Sequence, residues 1–339
     1  MKIDANLSLR LRAVSFFCAL LVVPIHCASF TDWFAGVSPL RTWEISLALL
    51  LTDTISRCAV PCFFVLSGFF LALKYESTWA WYRETLCKRF VSLYVPFVAW
   101  NLLYLCRNSV LQHQSLFSLN GVLGYNLLVP PGFGLFWYVQ VILFTVIFSP
   151  IWLSLLRNRF IAASAIGVMV AAWVTGNFGY YFSLQLSAGN FLWLFVGAIA
   201  AFNLPSVKKP PNIFRFAAAI LLLATVVTHV ATGVYRSMDL FRYSDTATIV
   251  LGVFTIFANA ELIFTYLSRW TSLFSLSFFI YAMHPQGLLV HIPLDYIGVP
   301  FVPAYLVRIV CGIFVPIVIG LALRRYLPRL LIVLTGARG

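Results

Sequence analysis

Long apolar segments recur along almost the whole chain, and they constrain its fold more than any other feature. A transmembrane helix needs about 20 mostly apolar residues, and residues 213–234 are apolar along nearly their whole length. About ten such segments occur, with approximate bounds at 13–30, 45–73, 91–107, 135–156, 160–176, 187–203, 213–234, 246–267, 272–291 and 303–326. We therefore expect an all-α polytopic integral membrane protein with about ten transmembrane helices, forming a single transmembrane domain over residues 1–339.

The composition excludes other classes of protein. Hydrophobic residues make up 62% of the chain and charged residues 10%, whereas soluble globular domains have about 45–50% and 25%. The continuous apolar runs also exclude an outer-membrane barrel, whose strands alternate apolar and polar residues. The net charge is +13, but the basic residues do not cluster on a soluble segment and no nucleic-acid motif occurs. Nucleic acid is therefore not an expected partner.

The distribution of basic residues predicts the orientation of the chain in the membrane. If both termini are cytoplasmic, the outer loops contain only Arg41, Arg107, Arg236 and Arg242. Apart from two arginines within the spans, the other basic residues then lie on the cytoplasmic side. The positive-inside rule favours this arrangement over its inverse, so we expect both termini in the cytoplasm.

Two further features concern the membrane boundary and the cysteines. Residues 77–90 mix tryptophans with Lys and Arg, which predicts a short amphipathic helix at the inner interface. The chain has seven cysteines, an odd number, mostly within apolar segments and without the spacing of metal ligands. We interpret them as packing residues and expect no metal site.

Ionisable residues within the apolar segments are functional candidates, because a charge in the membrane interior is costly. They are His26, Asp53, Arg57, His229, Glu261, His284 and Arg308. A helical rise of about 1.5 Å per residue puts His26, Arg57 and His284 roughly 20–26 Å from the inner boundary. These three side chains therefore share a level in the outer half of the membrane. We interpret His229 and Glu261 as structural polar contacts.

The second apolar segment contains a proline four residues after its arginine. Because Pro61 has no N–H for the carbonyl of Arg57, the helix should bend where this charge projects. Ser67 and Gly68 follow, and small residues allow close approach of another backbone or of a slender ligand. The alternative is a proline kink and a packing face without catalytic function.

These motifs, taken in order, resemble acyltransferase family 3 of integral membrane O-acyltransferases, and most of all bacterial O-acetyltransferases of surface polysaccharides. The resemblance covers nearly the whole chain and rests on Val-Val-Pro-Ile-His26, Arg57-x3-Pro61-x-Phe-Phe-x2-Ser67-Gly68-Phe, Lys88-Arg89-Phe-x4-Val-Pro96-Phe-x2-Trp100, Phe136-Trp137-Tyr138 and Ser277-Phe-x-Ile-Tyr281-x2-His284-Pro285. The family usually has an arginine eleven residues before the first histidine, where this chain has Ser15. Arg12 lies on nearly the same helical face one turn earlier, and we expect it to substitute.

The resemblance implies a reaction and assigns residues to it. The donor would be acetyl-CoA or another acyl-CoA from the cytoplasm, and the acceptor a hydroxyl of a surface or lipid-linked glycan. The protein would be a multi-pass protein of the inner cell membrane, with no permanently bound cofactor. His26 would be catalytic, either as general base or as transient acyl carrier. Arg57 would stabilise the oxyanion or hold the donor, unless it only forms an ion pair with Asp53.

The resemblance also implies two sets of binding residues, each with a structural alternative. The donor would contact Arg12, Ser67, Gly68, Lys88 and Arg89, although the last two could simply anchor lipid headgroups. The acceptor would contact Trp137, Tyr138, Tyr281 and His284, of which the first two could be interfacial belt residues. Tyr281 and His284 could serve only as hydrogen-bonding groups of the core.

Two other functions fit a polar cavity in the membrane. A transporter or flippase of a polysaccharide or lipid-linked sugar could also line its pathway with His and Arg. The transferase predicts that His26 and the segment 57–68 are needed for acyl incorporation rather than for export. A non-catalytic sensor is disfavoured because both His26 and Arg57 are present.

Overall fold

The computed structural model describes residues 4–36, 38–112, 134–175, 187–204 and 210–336. Over these ranges every regular element is helical and no strand occurs. The helices are α1 (Ala5–Ile25), α2 (Thr31–Phe34), α3 (Thr42–Ala48), α4 (Ala59–Ala72), α5 (Trp79–Arg89), α6 (Val95–Gln112), α7 (Trp137–Ile147), α8 (Ser149–Leu156), α9 (Arg159–Thr175), α10 (Ala188–Phe202), α11 (Asn212–Val234), α12 (Met238–Ala258), α13 (Ala260–Leu267), α14 (Ser277–Leu288), α15 (His291–Tyr296), α16 (Phe301–Tyr326) and α17 (Pro328–Thr335).

Seven helical stretches in the described ranges are long and apolar enough to cross a membrane. They are Ala5–Ile25, Thr42–Ala72, Trp79–Arg107, Asn212–Val234, Leu240–Ala258, Ala260–Tyr296 and Phe301–Tyr326. The bent pair α7–α8, with an angle of 76°, makes an eighth candidate, and α9 and α10 are shorter apolar helices. Each predicted apolar segment thus corresponds to a helix or helix pair. The all-α polytopic membrane fold is confirmed, whereas the count of ten crossings and the cytoplasmic termini stay predictions.

Three of these stretches differ from the boundaries predicted from sequence. The helix expected over 77–90 forms as α5, but it is not separate, because a π-helical segment, Phe90–Tyr94, joins it to α6. The predicted segment 246–267 is divided at Asn259, which ends α12. Its side-chain Nδ2 donates to the carbonyl of Thr255, so the carboxamide satisfies a helix-end carbonyl and the next helix starts anew. Ala260–Tyr296 then continues as one apolar helical stretch.

The second apolar segment is irregular around its arginine, as Pro61 predicts. A π-helical segment, Leu49–Ile55, and a 3₁₀ turn, Ser56–Cys58, separate α3 from α4. The irregularity begins at Leu49, well before Arg57. Side-chain hydroxyls bind carbonyls five residues back, Thr54 to Leu49 at 2.9 Å and Ser56 to Leu51 at 2.6 Å, which is the spacing of a π turn.

The chain forms two compact units. The first contains Phe64–Val207 and Ala322–Gly339, and the second contains Lys2–Phe63 and Lys208–Leu321. In the first unit α10 packs against α8 and α9, and α17 packs against α6, where Trp100 Nε1 donates to the Leu334 carbonyl at 2.9 Å. The single domain predicted over 1–339 stays a prediction.

The second unit is built around α1. This helix packs against α13, α14, the 3₁₀ segment Ser268–Leu276 and the irregular segment 49–58. Its residues Ala13, Val14, Cys18, Ala19 and Val23 are fully buried. Helices α11 and α12 form the most extensive pair in the unit, and α11 exposes large apolar side chains on its other face. Exposed apolar faces of this kind are expected where a helix contacts lipid rather than water.

Candidate active site

His26 lies at the C-terminal end of α1, in the second unit. Its backbone N–H donates to the carbonyl of Val23 at 3.1 Å, which ends the helix, and its side chain is exposed. Within the described part of the chain its ring nitrogens have no hydrogen-bond partner. Its ring lies beside that of His284, with ring centroids 5.0 Å apart and planes inclined by 34°.

The backbone on both sides of His26 is held by side chains from other elements. Thr52 donates from Oγ1 to the Pro24 carbonyl at 2.9 Å, and the Tyr305 hydroxyl lies 2.8 Å from the same Oγ1. Since the Thr52 proton is directed at Pro24, Tyr305 is the donor in the second bond. On the other side, Arg308 Nη1 lies 3.5 Å from the Cys27 carbonyl, and its Nη2 bonds Asp295 at 2.8 Å. The exposed imidazole therefore projects from a fixed helix end.

His284 lies in α14 and is fully buried. Its Nδ1 is 2.9 Å from the carbonyl oxygen of Tyr281, and its Nε2 has no hydrogen-bond partner in the described ranges. Tyr281 is also buried, with its ring 6.3 Å from that of Phe63. The structure thus brings His26 and His284 together. A contact of His284 with the acceptor stays a prediction.

Arg57 lies in the 3₁₀ turn Ser56–Cys58 and is bound by two carboxylates. Its Nε is 3.1 Å from Asp53 Oδ1 and 3.6 Å from Asp245 Oδ1, and both aspartates are largely buried. The ion pair with Asp53 that the sequence offered as an alternative is present. Helix α1, which has His26 at its C-terminal end, packs against this turn and against α14. The elements that carry His26, Arg57 and His284 are therefore in contact, and their common depth made such a cluster plausible.

Asp245 is the residue that the sequence reasoning missed. It lies within α12, next to a buried polar group formed by Ser244, His229 and Thr232. His229 Nδ1 is 3.0 Å from Ser244 Oγ, and its ring stacks on that of Phe241 at 4.0 Å. His229 is thus a polar contact between α11 and α12, as expected. A signal for Asp245 was available, since an aspartate beside an apolar run is a candidate partner for an arginine within the membrane.

Two residues near the N-terminus of α1 show different surroundings. Arg10 Nη2 forms an ion pair with Glu261 at 3.4 Å, so Glu261 is a structural contact, as expected. Arg12 is exposed, and no contact of its side chain is recorded among the described residues. Its substitution for the family arginine at position 15 stays a prediction.

In the first unit, Ser67 and Tyr138 are joined directly. Their hydroxyls are 2.6 Å apart, and the ring of Phe64 lies 4.9 Å from that of Tyr138 and 5.9 Å from that of Trp137. One predicted donor-binding residue therefore contacts one predicted acceptor-binding residue. Trp137 and Tyr138 are both partly exposed.

Gly68 is the position where another backbone comes closest. A Cβ added there would lie 1.9 Å from the carbonyl oxygen of Leu194, and one added to Gly197 would lie 2.0 Å from that of Val65. The close approach expected at Gly68 is thus made by the backbone of α10. This is the packing alternative, and a donor contact at Gly68 stays a prediction.

Lys88 and Arg89 lie at the C-terminal end of α5. Lys88 is exposed and forms an ion pair with Glu84, one turn earlier, whereas Arg89 is partly buried. An exposed Lys–Glu pair is weak enough for the lysine to exchange its partner for a phosphate. Both residues belong to the first unit.

In the described ranges no three His, Cys, Asp or Glu side chains are placed to hold a metal ion. The seven cysteines all fall in these ranges and are free thiols. Cys18, Cys27, Cys58 and Cys62 are buried, which agrees with packing, whereas Cys87 and Cys106 are exposed.

A comparison with protein families identifies the family of this chain. The sequence model of a family described as an acyltransferase domain matches residues 11–325. The chain belongs to acyltransferase family 3. No curated protein and no solved structure matched in the corresponding comparisons.

As a member of acyltransferase family 3, the protein is a multi-pass membrane acyltransferase. The matched residues cover most of both units and include every residue to which the resemblance assigned a role. The family resemblance drawn from the sequence motifs is confirmed. The roles of individual residues within the acyltransferase stay predictions.

Proposed function

We propose that this acyltransferase moves an acetyl group from cytoplasmic acetyl-CoA to a hydroxyl of a surface or lipid-linked glycan, in the inner cell membrane. The observation that carries the proposal is the exposed imidazole of His26 on a fixed helix end. A general base must be accessible to its substrate and held in position, and His26 meets both conditions. Neutral imidazole is also suited to accepting a proton near neutral pH.

In the proposed reaction, His26 removes the proton of the acceptor hydroxyl as the oxygen attacks the acyl carbon. The C–O bond forms, the carbonyl oxygen becomes an oxyanion, and the guanidinium of Arg57 stabilises this charge. The C–S bond then breaks, and the proton passes from His26 to the sulfur of the leaving CoA. A transient acyl-His26 is the alternative route and uses the same residue as nucleophile.

Further residues complete the proposal as binding groups. Lys88 and Arg89 bind the phosphates of coenzyme A, supported by the exposure of Lys88 and the weakness of its pair with Glu84. Arg12 supplies a further positive charge. Ser67 lies beside Tyr138, and Trp137 and Tyr138 offer partly exposed rings on which a sugar can stack.

The first prediction tests His26. His26→Ala should lower the alkali-labile acetate content of cell-surface glycans by a factor on the order of 10²–10⁴, the usual contribution of a general base. His291→Ala is the matched control, because His291 lies in the same unit and its ring, unlike that of His26, is bonded to a backbone carbonyl, that of Leu288. It should leave the acetate content unchanged, with both proteins present at equal levels in the membrane.

Two results would contradict the proposed function, and each leads to a different conclusion. A well-expressed His26→Ala protein that still acetylates glycans would remove His26 from the chemistry. Loss of total surface glycan, rather than of its acetyl groups, would instead favour the transporter or flippase. Glycan export should therefore be measured in the same cells.

A further inference from the structure

His284 and Pro285 act together in α14. Because proline has no N–H, the carbonyl of Tyr281, four residues before Pro285, loses its usual helical donor. An unpaired carbonyl in the interior of a membrane protein is costly. His284 fills the vacant position, since its Nδ1 is 2.9 Å from this carbonyl oxygen.

This contact fixes the tautomer of His284. A carbonyl can only accept, so Nδ1 carries the proton, and in a neutral imidazole Nε2 is then a bare acceptor. Full burial favours the neutral form of the ring. Nε2 is buried and lacks a hydrogen-bond partner over the described residues. The site therefore contains a buried acceptor in need of a donor.

His26 is placed to supply that donor. Its ring centroid is 5.0 Å from that of His284, and its own nitrogens have no recorded partner in the described ranges. Hydrogen bonds of catalytic groups often form only when substrate is present. We propose that His284 is a positioning residue: its Nε2 accepts one N–H of His26 and leaves the other nitrogen of His26 bare toward the exposed side.

This proposal rests on the proposed function, and it adds His284 as a partner of the base, His26. When the acceptor hydroxyl attacks, its proton moves to the bare nitrogen of His26, which becomes an imidazolium with two N–H groups. One N–H still points at His284 Nε2 and the other returns its proton to the CoA sulfur as the C–S bond breaks. His284 stays neutral throughout and does for His26 what a buried carboxylate does in a catalytic triad.

Two substitutions separate this role from a structural one. His284→Asn keeps an amide N–H near the Nδ1 position, so it can still bind the Tyr281 carbonyl, but it has nothing at the Nε2 position. His284→Gln extends its carboxamide to about the Nε2 position and can offer an acceptor there. A merely structural histidine would be replaced better by Asn, and a positioning histidine better by Gln.

The assay uses purified protein, radiolabelled acetyl-CoA and a glycolipid extract of the cell envelope as acceptor. We expect His284→Asn to lower kcat by roughly tenfold or more, but less than the loss of the base itself, with the KM for acetyl-CoA unchanged. His284→Gln should recover part of this loss. Full kcat in His284→Asn, with His26→Ala inactive, would overturn the positioning role and leave the proposed function standing. Activity in His26→Ala would overturn the proposed function itself.

A spectroscopic measurement covers the case in which these variants fail to fold. The chain has five histidines, so ¹⁵N-histidine NMR of the wild-type protein in micelles gives few signals. Substituting the other four one at a time assigns the signal of His284. We expect a protonated Nδ1 and a bare Nε2. A protonated Nε2 would contradict the proposal, because that nitrogen could not then accept from His26.

Discussion

At the scale of single residues, Arg57 balances two carboxylates. Its Nε contacts Asp53 and Asp245, from the irregular segment and from α12. The first pair could be predicted, because residues four apart share a helical face. For the second pair the sequence could mark Asp245 as a candidate, but only tertiary packing shows that α12 brings it to Arg57. The predicted segment 246–267 also began just after Asp245, whereas α12 begins at Met238 and includes it.

Removing Arg57 should show how far Asp53 and Asp245 depend on its positive charge. Arg57→Ala leaves two largely buried carboxylates without their cation, so its Tm in detergent should fall by several degrees. Adding Asp245→Asn should restore part of the loss, since neighbouring changes in one network are not additive. The Arg10–Glu261 pair is the control. Its carboxylate is about half exposed, whereas Asp53 and Asp245 are largely buried, so Arg10→Ala should shift Tm much less. Strictly additive shifts for Arg57 and Asp245 would show that the two residues do not interact.

At the scale of helices, the pair Gly68 and Gly197 lets α4 and α10 pack with their backbones in contact. From sequence, either a backbone or a slender ligand could lie against Gly68, and periodicity cannot choose between them. It also could not show that α5 continues into α6, or that the helix ends at Asn259. The continuation of α5 and the end at Asn259 both depend on which local groups form hydrogen bonds with the backbone. The common depth of His26, Arg57 and His284 is estimated from helical rise alone and stays a prediction.

Gly68→Ala tests the role of this close contact. The added methyl would lie 1.9 Å from the Leu194 carbonyl, so the backbones must separate, and overpacking of this kind costs about 1–3 kcal/mol. The Tm should fall. Gly167→Ala is the matched control, because nothing lies within 4 Å of its added Cβ, and alanine favours a helix by about 1 kcal/mol over glycine. An unchanged Tm in Gly68→Ala, with weaker use of acetyl-CoA, would favour a donor contact instead.

At the scale of the whole molecule, the number of crossings decides which side each unit's loops face. The seven long stretches and the bent pair α7–α8 give an even number if the pair crosses once. Helices α9 and α10 have 17 and 15 residues, or about 26 and 22 Å at the helical rise, somewhat less than the 30 Å hydrocarbon core. Whether both cross or neither does, the C-terminus stays on the side of the N-terminus.

Reporter fusions and cysteine labelling test the orientation of the termini and the number of crossings. A fusion after Gly339 should be cytoplasmic, because the positive-inside rule and the even number of crossings agree. A fusion after Gln112, in the third predicted segment's outer connection, should be external. A single cysteine introduced between residues 176 and 186, in a variant whose exposed cysteines are removed, should react with an impermeant maleimide from outside if α9 and α10 both cross. Labelling only after the membrane is opened would show that neither crosses, which reduces the count by two but keeps both termini inside. An external C-terminus would overturn the orientation and, with it, the placing of His26 in the outer half of the membrane.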